Sequence, residues 1–335
     1  MIVKYFKKQT YVRCDVAKII GTGSYLPKNI VTNEDLEKVV DTSDDWIISR
    51  TGIRERAFAT DENTGDLAYM ASLKAIEDAG ISPEEIGYII LGTITPQSLL
   101  GSTACYVQAK LGAVNATCFD INAACTGFVY GLEIAEGLLA ISDRKYALVI
   151  GAEVLSKIVD FTDRTTCVLF GDGAGAAVLE KGDGIRSVVT GADGTKISAL
   201  HSGEFKVRNF LAGNQVSDHF IIMEGREVFK FAVRVLPKAL SEAVGKAGMK
   251  MADLDHVIPH QANLRIIDAA AAKMELPREK FYVNLDRVGN TSAASIPIAL
   301  DEMNRKGLLK KGDRLGLVGF GGGLTYGAAV IEWSK

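Results

Sequence analysis

Cysteine and histidine are scarce in this sequence, and their spacing excludes two kinds of site. The five cysteines are an odd number without the paired Cys-x-x-Cys spacing of a zinc site; they are Cys14, Cys105, Cys118, Cys125 and Cys167. They are too sparse for a disulfide scaffold, and the four histidines lack His-x-x-x-His spacing. We therefore expect no metal site and mostly buried thiols in a reducing compartment.

Long apolar runs and blocks of like charge are also missing. No stretch of about 18 apolar residues predicts a membrane span, and residues 1–15 lack the apolar core of a signal peptide. The formal net charge is −3, and no block of like charges predicts binding to nucleic acid. The composition, 47% hydrophobic and 24% charged, is that of a soluble globular protein, which we expect to be cytoplasmic.

The chain contains an internal repeat. A shift of 168 residues superimposes 79–90 on 247–258 and 148–151 on 316–319, and one gap then aligns 175–181 with 327–333. Several matches at one offset favour a duplication over the alternative of two unrelated α/β units of similar length. At 335 residues, the chain is long enough for two units or for one large layered domain.

Each half is predicted to alternate helices with apolar strands. Residues 66–79 have a helical amphipathic period that ends at Gly80, whereas 117–121 and 146–152 are short apolar runs typical of buried strands. This alternation indicates mostly parallel sheets covered by helices on both faces. Two such halves packed together predict an α/β fold of five layers, α/β/α/β/α.

Cys125 is the cysteine best placed for chemistry. It follows a predicted strand on a turn of small residues and precedes a helix that begins near Thr126. Amides at a helix N-terminus favour a thiolate, so we expect the pKa of Cys125 to lie below the free value of about 8.5. The alternative is a buried, unreactive thiol, which is how we interpret the other four cysteines.

The second half has a matching turn. Asn290 lies where a predicted strand, 281–285, meets a helix, and His260 ends the strand 256–260. Ligands bind at the carboxyl edge of such sheets, where an imidazole and a carboxamide can both donate hydrogen bonds to an enolate or thioester oxygen. The alternatives are a core histidine and an asparagine that caps a helix.

The glycine run 319–323 does not predict a dinucleotide site. A Gly-x-Gly-x-x-Gly fingerprint leads into a helix, whereas this run leads into another predicted strand. Backbone amides that closely approach a ligand oxygen are the better interpretation of these glycines. The segment 171–175 likewise predicts a turn before a strand.

Four motifs together resemble one known family. They are NAACTGF at 122–128, PHQAN at 259–263, GNTSAASIP at 289–297 and GFGGG at 319–323. In this order and spacing they are similar to β-ketoacyl-[acyl-carrier-protein] synthase III of the thiolase superfamily. The resemblance begins at about Asp15, which leaves 1–14 as an extension. It implies a thiolase-like fold with the nucleophile in 15–185 and the histidine and asparagine in 186–335.

The resemblance also implies roles for individual residues. Cys125, His260 and Asn290 would form the catalytic triad, with the backbone amides of Cys125 and Gly322 as the oxyanion hole. Elongating relatives use two histidines and thiolases a second cysteine, so Asn290 favours the initiating enzyme. Five residues would bind coenzyme A: Trp46 and Arg164 at the adenine, Arg50 at the phosphates, and Gly225 and Asn263 along the pantetheine tunnel. Without the family, these are ordinary surface or packing residues.

The implied reaction condenses an acyl-CoA primer, most simply acetyl-CoA, with malonyl-acyl carrier protein, and needs no metal or redox cofactor. Arg265 and Lys273 would dock the acidic carrier protein, although a solvated helix face is the alternative. Leu100 and Phe320 would border the primer pocket, and Leu100 replaces a bulky aromatic that some relatives supply from the partner of a homodimer.

Other functions remain open at this stage. A synthase on the same fold would make a quinolone, a polyketide or another β-keto product. Hydroxymethylglutaryl-CoA synthase is disfavoured because it needs a catalytic glutamate near the cysteine. A non-catalytic α/β binding protein would retain no acyl group at all.

Overall fold

The computed structural model describes residues 16–207, 211, 213 and 218–335. The predicted extension, 1–14, and Cys14 lie outside the described residues. Within them the strands are β1 Ala17–Tyr25, β2 Ile30–Thr32, β3 Glu55–Ala57, β4 Ile86–Gly92, β5 Thr117–Ile121, β6 Tyr146–Glu153, β7 Gly173–Lys181, β8 Ile185–Ala192, β9 Leu200–Ser202, β10 Ile221–Met223, β11 His256–Pro259, β12 Arg314–Gly321 and β13 Thr325–Glu332. The α-helices are α1 Asn33–Leu36, α2 Asp44–Thr51, α3 Thr64–Ala79, α4 Thr103–Leu111, α5 Gly127–Ile141, α6 Gly225–Lys246, α7 Leu264–Met274, α8 Leu285–Val288 and α9 Ser295–Arg305.

Two large mixed sheets form the body of the protein. One has the strand order β1-β7-β6-β4-β5 and the other β11-β12-β13-β8. The prediction of mostly parallel sheets is wrong. Only β4 with β5 and β6, and β11 with β12, pair in parallel within these two sheets, whereas β7, β1, β13 and β8 join antiparallel. The reason is that β12 returns into β13 through a short glycine turn, without the crossover helix that a parallel pair requires.

The strand pairing repeats at the predicted offset. Tyr88 pairs with Ala147 in the first sheet and His256 with Leu315 in the second, so both partners differ by 168 residues. The short 3₁₀ turns Ala124–Thr126 and Ser292–Ala294 are related by the same shift. The duplication is therefore present in the hydrogen-bond register as well as in the sequence.

The layers follow from the helix contacts. Helix α3 covers the outer face of the first sheet, α5 and α9 each contact both sheets, and α6 covers the second sheet with α7 packed beside it. This is the five-layered thiolase-like arrangement that was predicted. The stretch Ala124–Ile141 is the one helix in the described residues long and apolar enough to cross a membrane. Its position between the two sheets accounts for that composition.

Individual elements agree with the sequence except in one place. The predicted helix 66–79 and strands 117–121 and 146–152 are α3, β5 and β6. The predicted strand 281–285 is only a single bridge, from Phe281 to Val257. Gln261 explains the difference, because its side chain donates to the carbonyl of Tyr282 at 3.1 Å and accepts from the amide of Asn284 at 3.2 Å. A side chain thus takes the place of a neighbouring strand.

The two sheets divide the described chain near residue 183. Strand β7 of the first sheet ends at Lys181, and β8 of the second begins at Ile185. We propose the halves 15–185 and 186–335 on this basis, and strand β8 starts one residue before that division.

Candidate active site

Cys125 lies on the 3₁₀ turn Ala124–Thr126, which joins β5 to α5. Ala124 has a φ of +47°, a left-handed conformation uncommon for residues other than glycine. Thr126 donates its hydroxyl to the carbonyl of Ala123 at 2.6 Å and so closes the turn. The turn holds the Cys125 side chain at the carboxyl edge of the first sheet, where it is 8% exposed.

The end of β12 packs directly against this turn. A Cβ atom on Gly321 would lie 2.6 Å from the backbone nitrogen of Cys125, and one on Gly322 would lie 3.6 Å from the Cβ of Ala124. The predicted oxyanion residue Gly322 is therefore next to the nucleophile turn. Gly321 makes the closer approach and was not singled out from the sequence, although it lies within the glycine run.

Asn290 precedes the equivalent turn of the second half. Ser292 on that turn has a φ of +49°, and its backbone amide donates to the side-chain oxygen of Asn290 at 2.9 Å. The oxygen of Asn290 thus caps the turn, as the alternative interpretation expected. Its amide NH₂ group makes no hydrogen bond in the described part of the chain and is left for the cavity that Asn290 lines.

His260 follows β11 and is buried. Its Nδ1 lies 2.6 Å from the hydroxyl of Ser295, and its ring stands edge-on to Phe320 with centroids 5.6 Å apart. Burial lowers the pKa of His260 to about 3, because the charged imidazolium is poorly solvated there. The imidazole is therefore neutral at physiological pH, with Nε2 as the remaining ring nitrogen.

The three predicted catalytic side chains, which come from both halves, line a single cavity of about 130 Å³. Its other lining residues are apolar side chains together with a glycine and an asparagine: Leu169, Phe170, Leu200, Met223, Gly225, Val228, Phe229, Ala262, Asn263, Ile266 and Phe320. The predicted tunnel residues Gly225 and Asn263 and the predicted pocket residue Phe320 thus share the cavity with Cys125, His260 and Asn290.

The predicted low pKa of Cys125 is wrong. Burial raises the pKa of this thiol to about 12, and the nearby Glu153 raises it further, whereas a hydrogen bond with Ser292 lowers it. Removing the thiolate from water outweighs the favourable effect of the turn and helix amides. In the free protein Cys125 is a neutral thiol, so its proton must move when the sulfur attacks.

The residues predicted to bind coenzyme A cluster at the surface beside the cavity. The Arg164 guanidinium lies over the Trp46 ring at 5.4 Å from its centroid, close enough for a cation–π contact. Asn263 connects this region to the cavity, because its side chain donates to the carbonyl of Arg50 at 3.0 Å and accepts from the amide of Arg265 at 2.9 Å. A ligand could therefore pass from the surface at α2 to the cavity along Asn263.

The predicted docking residues lie on the surface, and Leu100 lies outside the cavity. Arg265 and Lys273 are both exposed on α7. Exposed basic residues at four-residue intervals on the neighbouring α6 were not predicted; they are Arg226, Lys230, Arg234 and Lys238. Leu100 is 93% exposed on the loop after β4 and does not line the cavity of its own chain. A role in the primer pocket would require a partner subunit.

Two hydroxyl groups in the site were also missed. Ser295 holds His260, and Ser292 lies between Cys125 and the buried Glu153. Both belong to the noted motif 289–297, but the sequence does not show which of its small residues face the cavity.

Comparisons with known proteins agree with this fold and site. Family models described as 3-oxoacyl-[acyl-carrier-protein] synthase III and its C-terminal part match residues 119–194 and 244–333. The β-ketoacyl-[acyl-carrier-protein] synthase III of Clostridium acetobutylicum is 53% identical over 321 residues, which cover 95% of this chain and 99% of the relative.

Solved structures give the same result. The 3-oxoacyl-[acyl-carrier-protein] synthase III of Aquifex aeolicus has a TM-score of 0.88 and 49% identity, covering 95% of this chain and 100% of that one. The priming β-ketosynthase of the R1128 polyketide pathway has a TM-score of 0.89 and 35% identity, covering 95% and 96%. The chain therefore belongs to the β-ketoacyl-[acyl-carrier-protein] synthase III family of the thiolase superfamily.

Proposed function

We propose that this protein condenses an acyl-CoA primer, most simply acetyl-CoA, with malonyl-acyl carrier protein and so initiates fatty acid synthesis. The products are 3-oxoacyl-acyl carrier protein, carbon dioxide and coenzyme A. The observation that carries the proposal is the single cavity in which Cys125 of one half meets His260 and Asn290 of the other.

The first half-reaction loads the nucleophile. The Cys125 sulfur attacks the thioester carbon of acyl-CoA, the bond to the coenzyme A sulfur breaks, and the thiol proton is released. The backbone amides of Cys125 and Gly322 are proposed to stabilise the oxyanion that forms. Trp46, Arg50 and Arg164 would hold the coenzyme outside the cavity.

The second half-reaction uses His260 and Asn290 as hydrogen-bond donors. Since Nδ1 of His260 can accept the hydroxyl proton of Ser295, its own proton can sit on Nε2 and point into the cavity. Nε2–H and the Asn290 amide would stabilise the enolate oxygen as carbon dioxide leaves malonyl-acyl carrier protein. The carbanion then attacks the acyl group on Cys125 and releases the thiol. Neither step uses a metal or redox cofactor.

The same proposal includes partners and location. Acyl carrier protein is acidic, and Arg265 and Lys273 on α7, with the basic residues of α6 beside them, form an exposed positive surface. Gly225 and Asn263 would line the pantetheine tunnel that leads from this surface. We further propose a homodimer in the cytoplasm, without nucleic acid or a membrane as partner.

The test is a complete reaction with acetyl-CoA and malonyl-acyl carrier protein, followed by mass spectrometry of the carrier protein. The parent should convert malonyl- to acetoacetyl-acyl carrier protein, and Cys125→Ala should not. Cys167→Ala is the matched control, because Cys167 is equally a buried free thiol but does not line the cavity. Equal product from the parent and Cys125→Ala would refute the proposal.

A second candidate is a priming synthase for a secondary product. The similarity to the R1128 polyketide enzyme and the small Leu100 favour a longer or different primer. Offering acetyl-, branched, longer and anthraniloyl-CoA together would show by intact mass which acyl group Cys125 retains. A non-catalytic binding protein would retain none.

A further inference from the structure

A buried carboxyl group lies behind the nucleophile and has no part in the reaction described above. Glu153 ends β6 and is 0% exposed. Its carboxyl accepts hydrogen bonds from the hydroxyls of Thr93 and Thr95 at 3.0 and 2.6 Å, and from the backbone amides of Ile94 and Thr95. Donors on this scale are needed only if the group carries negative charge during part of its function.

Ser292 connects this carboxyl to Cys125. Its hydroxyl donates to Oε1 of Glu153 at 3.1 Å, and the same side chain hydrogen-bonds with the Cys125 thiol. The left-handed φ of +49° at Ser292 is a strained conformation for serine. The turn is also held close to β6, because a Cβ on Gly151 would lie 2.1 Å from the carbonyl oxygen of Ala293. The contact between Ser292 and Glu153 is thus built into the packing of the two halves.

We propose that Glu153 is a positioning residue that takes the thiol proton of Cys125 through the hydroxyl of Ser292. This inference rests on the proposed function, because it adds a proton acceptor to the loading step.

The proton transfer balances within that step. As the sulfur forms its bond to the thioester carbon, the thiol proton moves to Oγ of Ser292 and the hydroxyl proton of Ser292 moves to Oε1 of Glu153. The bond between carbon and the coenzyme A sulfur breaks with its electron pair on that sulfur. The proton then returns by the reverse path, Glu153 is again a carboxylate, and coenzyme A leaves as a thiol.

His260 is less suited to this role. Its Nδ1 is occupied by Ser295, and its pKa of about 3 makes it a weak base. Burial raises the pKa of Glu153 to about 7, where a general base is most effective at neutral pH. Among the described residues, the titratable groups around Glu153 are Cys125 on the turn before α5 and Lys157 after β6, with Asp172 on the far side of Lys157. The segment 93–95 and the turn 292–294 contribute only hydroxyls and amides.

The test measures the thiol without coenzyme A or carrier protein. The rate of alkylation of Cys125 by iodoacetamide is followed against pH in the parent, Glu153→Gln, Ser292→Ala and the double variant, and acetyl loading from acetyl-CoA is measured beside it. Asp172→Asn is the matched control, because Asp172 is a buried carboxyl with a raised pKa that bonds to Ser156 and Ala59 instead. Ser292→Ala guards against misfolding, since Ala124 shows that alanine fits the equivalent left-handed position.

The proposal predicts an inflection near pH 7 in the parent and in Asp172→Asn. Either change in the relay should remove it and slow loading at pH 7 by about 100-fold, the scale of one general base, and the double variant should lose no more. An inflection that persists in Ser292→Ala, where Glu153 acts on the thiol only through its charge, would overturn the proposal. If the inflection behaves as expected but the parent never loads an acyl group, the proposed function fails while the relay stands.

Discussion

The close approach of β12 to the nucleophile predicts a sharp effect of one added methyl group at Gly321. Gly321 has extended backbone, with φ −161° and ψ −174°, so alanine can adopt its conformation. The new Cβ would lie 2.6 Å from the nitrogen of Cys125 and 3.1 Å from the Cβ of Ala124, against the 3.4 Å at which ordinary contact begins. The turn must therefore move by about 0.8 Å. A displacement near 1 Å costs about 100-fold in a reaction that depends on alignment, and overpacking of this kind costs about 1–3 kcal/mol of stability.

Gly319→Ala is the matched control for that substitution. It lies on the same strand and face, but its Cβ would meet the Cβ of His260 at 3.5 Å and the carbonyl of Cys125 at 3.7 Å, which are ordinary contacts. Single-turnover acetyl loading, measured by rapid quench and intact mass, should fall about 100-fold in Gly321→Ala and change little in Gly319→Ala. Equal rates in the two variants would show that the approach of β12 does not align the thiol.

Three further predictions concern partners and pH. Replacing both Arg265 and Lys273 by glutamate should raise KM for malonyl-acyl carrier protein in steady-state assays and leave acyl-CoA loading almost unchanged; equal loss of both refutes docking there. Trp46→Ala should slow loading from acetyl-CoA several-fold, about 1 kcal/mol of stacking and cation–π contact, but not loading from a short acetyl thioester that lacks adenine. Because burial raises the pKa of Glu153 from 4.5 to about 7, its protonated form stabilises the fold, fully below about pH 4.5, and this contribution is lost as pH rises through about 7. The Tm of Glu153→Gln relative to the parent should therefore rise between about pH 5 and pH 8, and a constant difference in thermal melts would contradict that assignment.

The fold was predictable because the duplication preserves both periodicity and register. The offset of 168 residues, read from matching segments, recurs in the partners of Tyr88 and His256. The strand at 281–285 was not predictable in the same way. Its apolar pattern is that of a strand, but the side chain of Gln261 satisfies the backbone that a neighbouring strand would otherwise bind. Such a substitution depends on a contact 23 residues away between Gln261 and Asn284.

The site was predictable where chemistry depends on chain position and less so where it depends on burial. Cys125, His260 and Asn290 each follow a strand at the carboxyl edge of a sheet, so parallel pairing alone predicts that they lie close together. The pKa of Cys125 was wrong in direction, because the sequence shows the helix amides but not the loss of water around the thiol. Glu153 was not anticipated for the same reason. Its carboxyl becomes part of the site only when Ser292 of the other half packs against it.

The most direct measurement of the central claim is intact mass combined with peptide mapping after acetyl-CoA is added and again after malonyl-acyl carrier protein is added. The account predicts one acetyl group on Cys125 of the parent that disappears in the second step. His260→Ala and Asn290→Ala should acquire the same acetyl group and keep it, because they lack a donor to the enolate oxygen. An acetyl group on any other residue, or discharge by both variants at the rate of the parent, would contradict a site shared between the two halves.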